Sequence, residues 1–139
     1  YKKSGTILKK MSGTNLHKQG EIVFMTCPFV DKTGRLSSKS RPVLIISNEE
    51  YNKKNNSLLV CALTTTIRKW PKSIFLDSKL CMENGTLPLN SELRPDLVFN
   101  GHKTEIGRKC GEIKESVLQE AIQNLKDIIA IDSPLTKFI

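Results

Sequence analysis

The dipeptide Arg41–Pro42 opens an apolar segment and carries the first side chain suited to phosphate chemistry. A guanidinium group stays charged and its fork matches phosphate oxygens, so Arg41 can stabilise negative charge that develops in a transition state. Because a guanidinium group keeps its proton, it is a weak proton donor. The alternative is a surface arginine that Pro42 merely positions.

Two further groups of polar residues could complete such a site. Thr64, Thr65 and Thr66 end an apolar run; a hydroxyl can donate a hydrogen bond to a phosphate, although β-branched threonines are also simply common at strand ends. Asp96 could accept a proton, but the neighbouring Arg94 would lower its pKa, and a structural Arg–Asp pair is the alternative.

Short apolar runs must position these residues. We predict strands at 21–27, stopped by Pro28, and at 41–48, 57–66, 73–77, 90–99 and 103–113, with a polar loop at 29–40 and a helical turn at 49–56. Pro95 within its run predicts an edge, bulge or kink. Apolar residues at helical spacing over 117–129 predict a closing helix, which begins with a Ser116–Gln119 capping box or at Lys114 or Glu115.

The length of 139 residues suits one domain, and we expect a flexible basic arm at 1–19 followed by a domain at 20–139. The net charge is +8, and the first forty positions hold eight Lys/Arg against two acidic residues, which favours a polyanionic partner. No apolar run spans a membrane and no signal peptide is evident, so we expect a cytoplasmic protein. The four cysteines lack CxxC spacing, which disfavours a zinc site. Disulfides are rare in the cytoplasm, so we expect these cysteines to be unpaired.

Several of these segments together resemble the MazF/PemK family of toxin ribonucleases. The likeness rests on GEIVF at 20–24, RPVLIIS at 41–47, LTTT at 63–66, SELRPD at 91–96 and a glycine near position 111 before the closing helix. It covers roughly 20–131. The resemblance implies a mainly β (α+β) fold, namely a small SH3-like β-barrel with a C-terminal α-helix. It also implies a symmetric homodimer that a cognate antitoxin inhibits.

The resemblance further implies sequence-selective cleavage of single-stranded RNA, in particular mRNA, without a metal or other cofactor. In that chemistry the neighbouring 2′-hydroxyl attacks phosphorus and leaves a 5′-hydroxyl end. The motifs and their flanking residues give two sets of candidate residues, to which His102, which falls outside the matched motifs, is added for the useful intrinsic pKa of a histidine. The catalytic set is Arg41, Thr64 and Asp96, and the RNA-binding set is Lys39, Ser40, Thr65, Thr66, Arg94 and His102. Some family members carry a histidine in the loop before the Arg-Pro motif, where this chain has Lys39 and Ser40, so the general base stays unassigned.

Two other functions remain open at this point. Small SH3-like barrels also serve as non-catalytic RNA- or protein-binding modules, and relatives of the same fold act as gyrase-directed toxins. Cleavage of a defined RNA distinguishes the nuclease from the binding module. Inhibition of gyrase supercoiling without RNA cleavage would indicate a gyrase-directed toxin.

Overall fold

Seven strands form one antiparallel sheet in the order β4-β6-β3-β2-β1-β7-β5. The computed structural model describes residues 17–132. The strands are β1 Glu21–Val30, β2 Leu36–Ile45, β3 Ser57–Thr64, β4 Ile74–Leu76, β5 Met82–Gly85, β6 Ser91–His102 and β7 Ile106–Ile113. Two helices, α1 at Glu49–Lys54 and α2 at Glu115–Ile129, and a 3₁₀ turn at Lys103–Glu105 complete the described part of the chain.

Apolar side chains of the strands point alternately to the two faces of the curled sheet and form one apolar cluster on each face. Ile22 and Leu44 belong to the larger cluster, on which α2 packs through Ala121 and its apolar stripe. Val23 and Val43, their neighbours in sequence, belong to the smaller one. Since successive side chains of a strand point to opposite faces, this division follows from the apolar runs themselves. The curled sheet and the closing helix are as predicted.

Strand β1 does not stop at Pro28, contrary to the prediction. It continues to Val30, and Pro28 pairs with Ser38 of β2. The other neighbour, β7, pairs with β1 only as far as Met25. Pro28 therefore lies where β1 is an edge on one side, and a missing N–H is tolerated there.

The predicted polar loop at 29–40 is instead a β-hairpin. Val30 pairs with Leu36, and the carboxylate of Asp31 accepts hydrogen bonds from the backbone N–H of Thr33 and of Arg35 across the turn. Gly34 supplies the positive φ of 83° that the turn needs. Lys39 and Ser40 accordingly belong to β2 and not to a loop.

Strand β6 bulges at Pro95, as its proline predicts. Cys61 of β3 pairs with Val98 and the next residue, Ala62, pairs with Arg94, so three residues of β6 are left outside the ladder. The helix α2 begins at Glu115 with Lys114 as its N-cap, without a side-chain capping bond. The predicted helix start at a Ser116–Gln119 capping box is therefore wrong, and the alternative start at Glu115 is confirmed.

Part of the predicted N-terminal arm falls among the described residues. The side chain of Gln19 donates to the carbonyl of Ile46, and Asn52 donates to the carbonyl of His17. Residues 1–16 of the arm lie outside the described residues, and its flexibility stays a prediction. Within 17–132, no helix is long and apolar enough to cross a membrane.

Candidate active site

Strands β2 and β3 separate at one end, and this opens the candidate site. They pair only from Val43–Ala62 to Ile45–Val60. Continuing that register beyond Val43 places Arg41 opposite Thr64. The two strands thus present these side chains to each other across the point at which the ladder ends.

A central cleft of about 310 Å³ lies at this separation. Its wall from β2 is formed by residues 39–42 and its wall from β3 and the following loop by residues 63–66. Pro88 and Leu89 from the segment before β6, Ser91 at the start of β6 and Phe24 of β1 complete the lining. Six of the candidate residues therefore line one cleft: Lys39, Ser40, Arg41, Thr64, Thr65 and Thr66.

A second cleft of about 290 Å³, the arginine cleft, continues from the first. The two share Arg41, Leu63, Thr64 and Thr66, so they form one groove. The lining particular to the arginine cleft is Ala62, Arg68, Trp70, Arg94 and Leu97. This brings Arg94 to the same groove as Arg41.

Arg41 is half-buried and carries an uncompensated charge. Its guanidinium carbon lies 5.8 Å from the centroid of the Phe29 ring. No carboxylate of residues 17–132 forms an ion pair with Arg41. A phosphate in the groove would consequently receive its full charge.

The hydroxyl of Thr64 is available to a ligand in the groove. Its Oγ1 accepts a hydrogen bond from the backbone N–H of Thr66 at 3.2 Å. Because the oxygen already accepts this bond, the hydroxyl hydrogen is left to donate outward. Thr65 and Thr66 are exposed on the same rim.

Asp96 lines neither cleft and is bound to Arg94. Nε of Arg94 donates to Oδ1 of Asp96 at 2.8 Å, and Nη2 donates to Oδ2 at 2.6 Å. These bonds hold the pKa of the Asp96 carboxyl below its usual value and raise that of Arg94. The geometry favours the structural pair over a general base, since a carboxylate of lowered pKa accepts a proton less readily.

Glu92, which we did not single out in the sequence, is buried beside the groove. It pairs with Thr64 in the sheet, and its Oε2 accepts the backbone N–H of Lys69 at 2.7 Å. Oε1 has no hydrogen-bond partner among the described residues. Glu92 therefore ties the loop after β3 to strand β6.

His102 does not join the groove. It pairs with Ser57, at the opposite end of β3 from Thr64. The two ends are seven residue steps apart, or about 23 Å at roughly 3.3 Å per step. Nδ1 of His102 lies 2.7 Å from Oγ1 of Thr104. The ring caps the 3₁₀ turn.

Other lining residues were missed because distant segments of chain bring them to the groove. Pro88 and Leu89 come from the connection before β6, which no motif marked. Arg68 follows the three threonines closely, and its charge in a polar loop was a signal that could have been used.

Among residues 17–132, no group of three or more His, Cys, Asp or Glu side chains is placed to hold a metal ion. The four cysteines are unpaired.

The comparison with family models matches residues 18–129 to the PemK-like, MazF-like toxins of type II toxin–antitoxin systems. This match covers most of the chain. The chain belongs to this family. The resemblance inferred from the motifs is confirmed.

Curated relatives and solved structures agree with this assignment. The endoribonucleases MazF6 of Mycobacterium tuberculosis and MazF2 of Mycobacterium bovis are each 24% identical over 100 residues, which is 70% of this chain and 84% of theirs. The MazE–MazF complex of Deinococcus radiodurans has a TM-score of 0.65 at 18% identity, covering 84% of this chain and 99% of that chain. The M. tuberculosis toxin MazF-mt6 gives 0.63 at 21% identity, covering 81% and 99%. These structures confirm the predicted fold, a small barrel-like β-domain with a C-terminal helix.

Proposed function

We propose that this MazF-family chain is an endoribonuclease that cleaves single-stranded RNA in the groove between β2 and β3. The observation that carries the proposal is that Arg41 and Thr64 line the same open cleft, with no carboxylate among the described residues paired to that arginine. Both curated relatives are named endoribonucleases. A groove with this lining suits a phosphodiester.

The proposed reaction uses the RNA itself as nucleophile. The 2′-oxygen forms a bond to phosphorus, and the bond from phosphorus to the 5′-oxygen breaks. The products are a 2′,3′-cyclic phosphate and a 5′-hydroxyl, and the proton lost by the 2′-hydroxyl is balanced by one gained at the 5′-oxygen. No metal is needed for this balance. Charge accumulates on the non-bridging oxygens as the bonds change, and a fixed cation close to them lowers the barrier.

Arg41 supplies that cation, and the Thr64 hydroxyl donates a hydrogen bond to the same phosphate. Both side chains belong to strand residues that are paired in the sheet, Arg41 with Met25 and Thr64 with Glu92, so little reorganisation is required when the charge develops. Asp96 acts on the groove through Arg94, whose guanidinium it fixes with two hydrogen bonds. The base that accepts the 2′-hydroxyl proton is not assigned to a residue.

Residues on both rims hold the RNA strand beside the reacting phosphate. Lys39 and Ser40 come from β2, and Thr65 and Thr66 from the loop after β3. Lys39 is exposed and forms no ion pair within residues 17–132, so its ammonium can follow the phosphate backbone. His102 is left out of this proposal because it lies at the far end of β3.

We propose that the protein partner of this chain is its cognate antitoxin. Solved relatives include an endoribonuclease in complex with its cognate antitoxin and MazE–MazF complexes. A symmetric homodimer and a cytoplasmic location, where mRNA is present, remain predictions from the family resemblance.

The function is tested by incubating the purified protein with a long single-stranded RNA in EDTA. We expect discrete fragments whose 5′ ends carry a hydroxyl and whose 3′ ends carry a cyclic phosphate or the 3′-phosphate formed from it. Fragments that carry 5′-phosphates, or that require added Mg²⁺, contradict the proposed chemistry. Intact RNA together with loss of gyrase supercoiling would instead support the gyrase-directed function.

A further inference from the structure

Trp70 lies in a strained part of the loop between β3 and β4. The residue before it, Lys69, has φ 54°, and Lys72, two residues after it, has φ 65°. Residues with a Cβ enter this left-handed region rarely and at an energetic cost. Such strain persists only where surrounding contacts enforce it, and it concentrates at sites that clamp ligands.

Contacts from two distant elements enforce the conformation of this loop. The buried carboxylate of Glu92 accepts the N–H of Lys69 at 2.7 Å. From α2, Asn124 donates to the carbonyl of Lys72 at 3.0 Å, and Asp127 pairs with its ammonium at 3.2 Å. The backbone on both sides of the tryptophan is thereby fixed.

The indole packs against a guanidinium group and stays partly exposed. The guanidinium carbon of Arg94 lies 4.4 Å from the centroid of the Trp70 ring, and the pair with Asp96 holds this guanidinium in place. Trp70 nevertheless keeps 42% of its surface exposed. A tryptophan that served only the core would bury most of this area, because it is the largest apolar side chain.

The exposed indole borders the arginine cleft, which also contains Arg41, Thr64 and Arg68. Arg68 is exposed and has no carboxylate partner among the described residues. An aromatic ring thus stands beside two uncompensated guanidinium groups in one cleft of about 290 Å³. A nucleotide has the matching features, a planar base and a phosphate, and this volume is near the roughly 300 Å³ at which small-ligand clefts begin.

We propose that Trp70 is a base-stacking residue. The nucleobase next to the scissile phosphate stacks on the open face of the indole, and the phosphate of that nucleotide lies against Arg68. Arg94, the indole and the base then form a stack of three planes. This inference rests on the proposed function, since it takes the phosphate beside Arg41 as the one that is cleaved. Stacking accepts any base, so Trp70 sets the position and affinity of the strand and not the cleavage motif.

The fluorescence of Trp70 reports on this contact directly, because it is the only tryptophan in the chain. The probe is a short single-stranded 2′-deoxy oligonucleotide, which lacks the nucleophile and is not cleaved. We expect saturable quenching of the emission, and weaker quenching when an abasic site replaces the stacked nucleotide. Saturable binding with unchanged emission, or no binding at all, would overturn the proposal.

Variants provide the second arm of the test. Loss of one stacked base weakens binding roughly 5- to 150-fold, and we expect this loss in Trp70→Leu, measured by anisotropy of a labelled oligonucleotide. Trp70→Phe should keep most of the affinity. Phe75→Leu is the matched control, because Phe75 is 57% exposed on β4 and lines neither cleft. Circular dichroism establishes that each variant is folded.

The outcomes separate this inference from the proposed function. If Trp70→Leu is folded and binds and cleaves as the wild type does, the stacking role is wrong while the nuclease stands. If the wild type shows base-dependent quenching but does not cleave RNA, the stacking role stands and the chain is a binding protein. Should Trp70→Leu fail to fold, the quenching of the wild type with intact and abasic probes decides.

Discussion

The substitution Asp96→Asn separates a structural role of this carboxylate from a catalytic one. Asp96 forms two hydrogen bonds with Arg94, at 2.8 and 2.6 Å. A hydrogen bond to a charged group contributes about 1.5–3 kcal/mol when buried, whereas exposed ion pairs contribute about 0–1 kcal/mol. The side chains of Arg94 and Asp96 are 14% and 35% exposed, so the pair is intermediate. Because asparagine keeps one acceptor oxygen, we expect a loss of about 1–2 kcal/mol in the free energy of unfolding.

The catalytic effect of the same change should be small. Removal of a general base lowers the cleavage rate by roughly 10²–10⁴-fold. We expect less than about a tenfold decrease, since the lowered pKa of Asp96 makes it a poor base and its loss only loosens Arg94.

The pH dependence gives a further check on Asp96. Its pKa is lower in the folded protein than in the unfolded chain, so its contribution to stability is present above the unfolded value of about 3.9 and is lost as pH falls through the lower folded value. The difference in stability between wild type and Asp96→Asn should therefore be constant near neutral pH and shrink only in acid.

Equilibrium unfolding in urea and single-turnover cleavage measure these two effects. The control is Asp132→Asn, because Asp132 is exposed and forms no ion pair within residues 17–132. A decrease of more than 100-fold in the cleavage rate, with stability unchanged, would refute the structural role and make Asp96 the base.

Three other changes test separate parts of the structure. Thr64→Val keeps the shape of the side chain but removes its hydroxyl, and we expect roughly 10²–10³-fold slower single-turnover cleavage, as for the loss of one donor to a developing anion. A rate within threefold of wild type would contradict this role. Cys61 is buried and its pKa is raised to about 12, so it should resist iodoacetamide at pH 8 while half-buried Cys110 reacts first. Mass spectrometry of the native protein measures the order of alkylation, and the reverse order would contradict the packing. A Cβ at Gly111 meets the carbonyl oxygen of Asn84 at 2.2 Å, whereas one at Gly34 meets nothing within 4 Å; Gly111→Ala should therefore lose at least about 2 kcal/mol more unfolding free energy than Gly34→Ala, and equal losses would exclude the close approach.

The elements that the sequence predicted well are those with an unambiguous pattern. The apolar stripe over 117–129 lies within helix α2, and Pro95 marks the bulge of β6. The failures come from proline and polar residues whose effect depends on the neighbouring strand. Pro28 did not end β1, because β7 no longer pairs with β1 beyond Met25. No local pattern contains that information.

The candidate site was predictable to the extent that its residues lie in matched motifs. Arg41 and Thr64 come from two such motifs, and the pairing of β2 with β3 brings them to one cleft. His102 follows the SELRPD motif closely in sequence, yet twelve-residue β6 carries it to the far end of the sheet. The contribution of Glu92 depends on a loop conformation with positive φ at lysines, which residue types do not indicate.

The central claim is that the charge of Arg41 acts on the transition state of cleavage. Arg41→Ala removes no side chain from the core. It removes one cation–π contact with Phe29, which contributes about 0.5–1 kcal/mol at a partly exposed site. The variant should therefore stay folded and bind a 2′-deoxy oligonucleotide within about tenfold of wild type. A suitable control is Arg35→Ala, since Arg35 is exposed in the β1–β2 turn and lines neither cleft.

The decisive measurement is the single-turnover rate of RNA cleavage in EDTA for wild type, Arg41→Ala and Arg35→Ala. We predict a decrease of roughly 10³–10⁵-fold for Arg41→Ala, as for other arginines that stabilise charge on a reacting phosphate, and no change for Arg35→Ala. A folded Arg41→Ala protein that cleaves RNA at the wild-type rate would contradict the account.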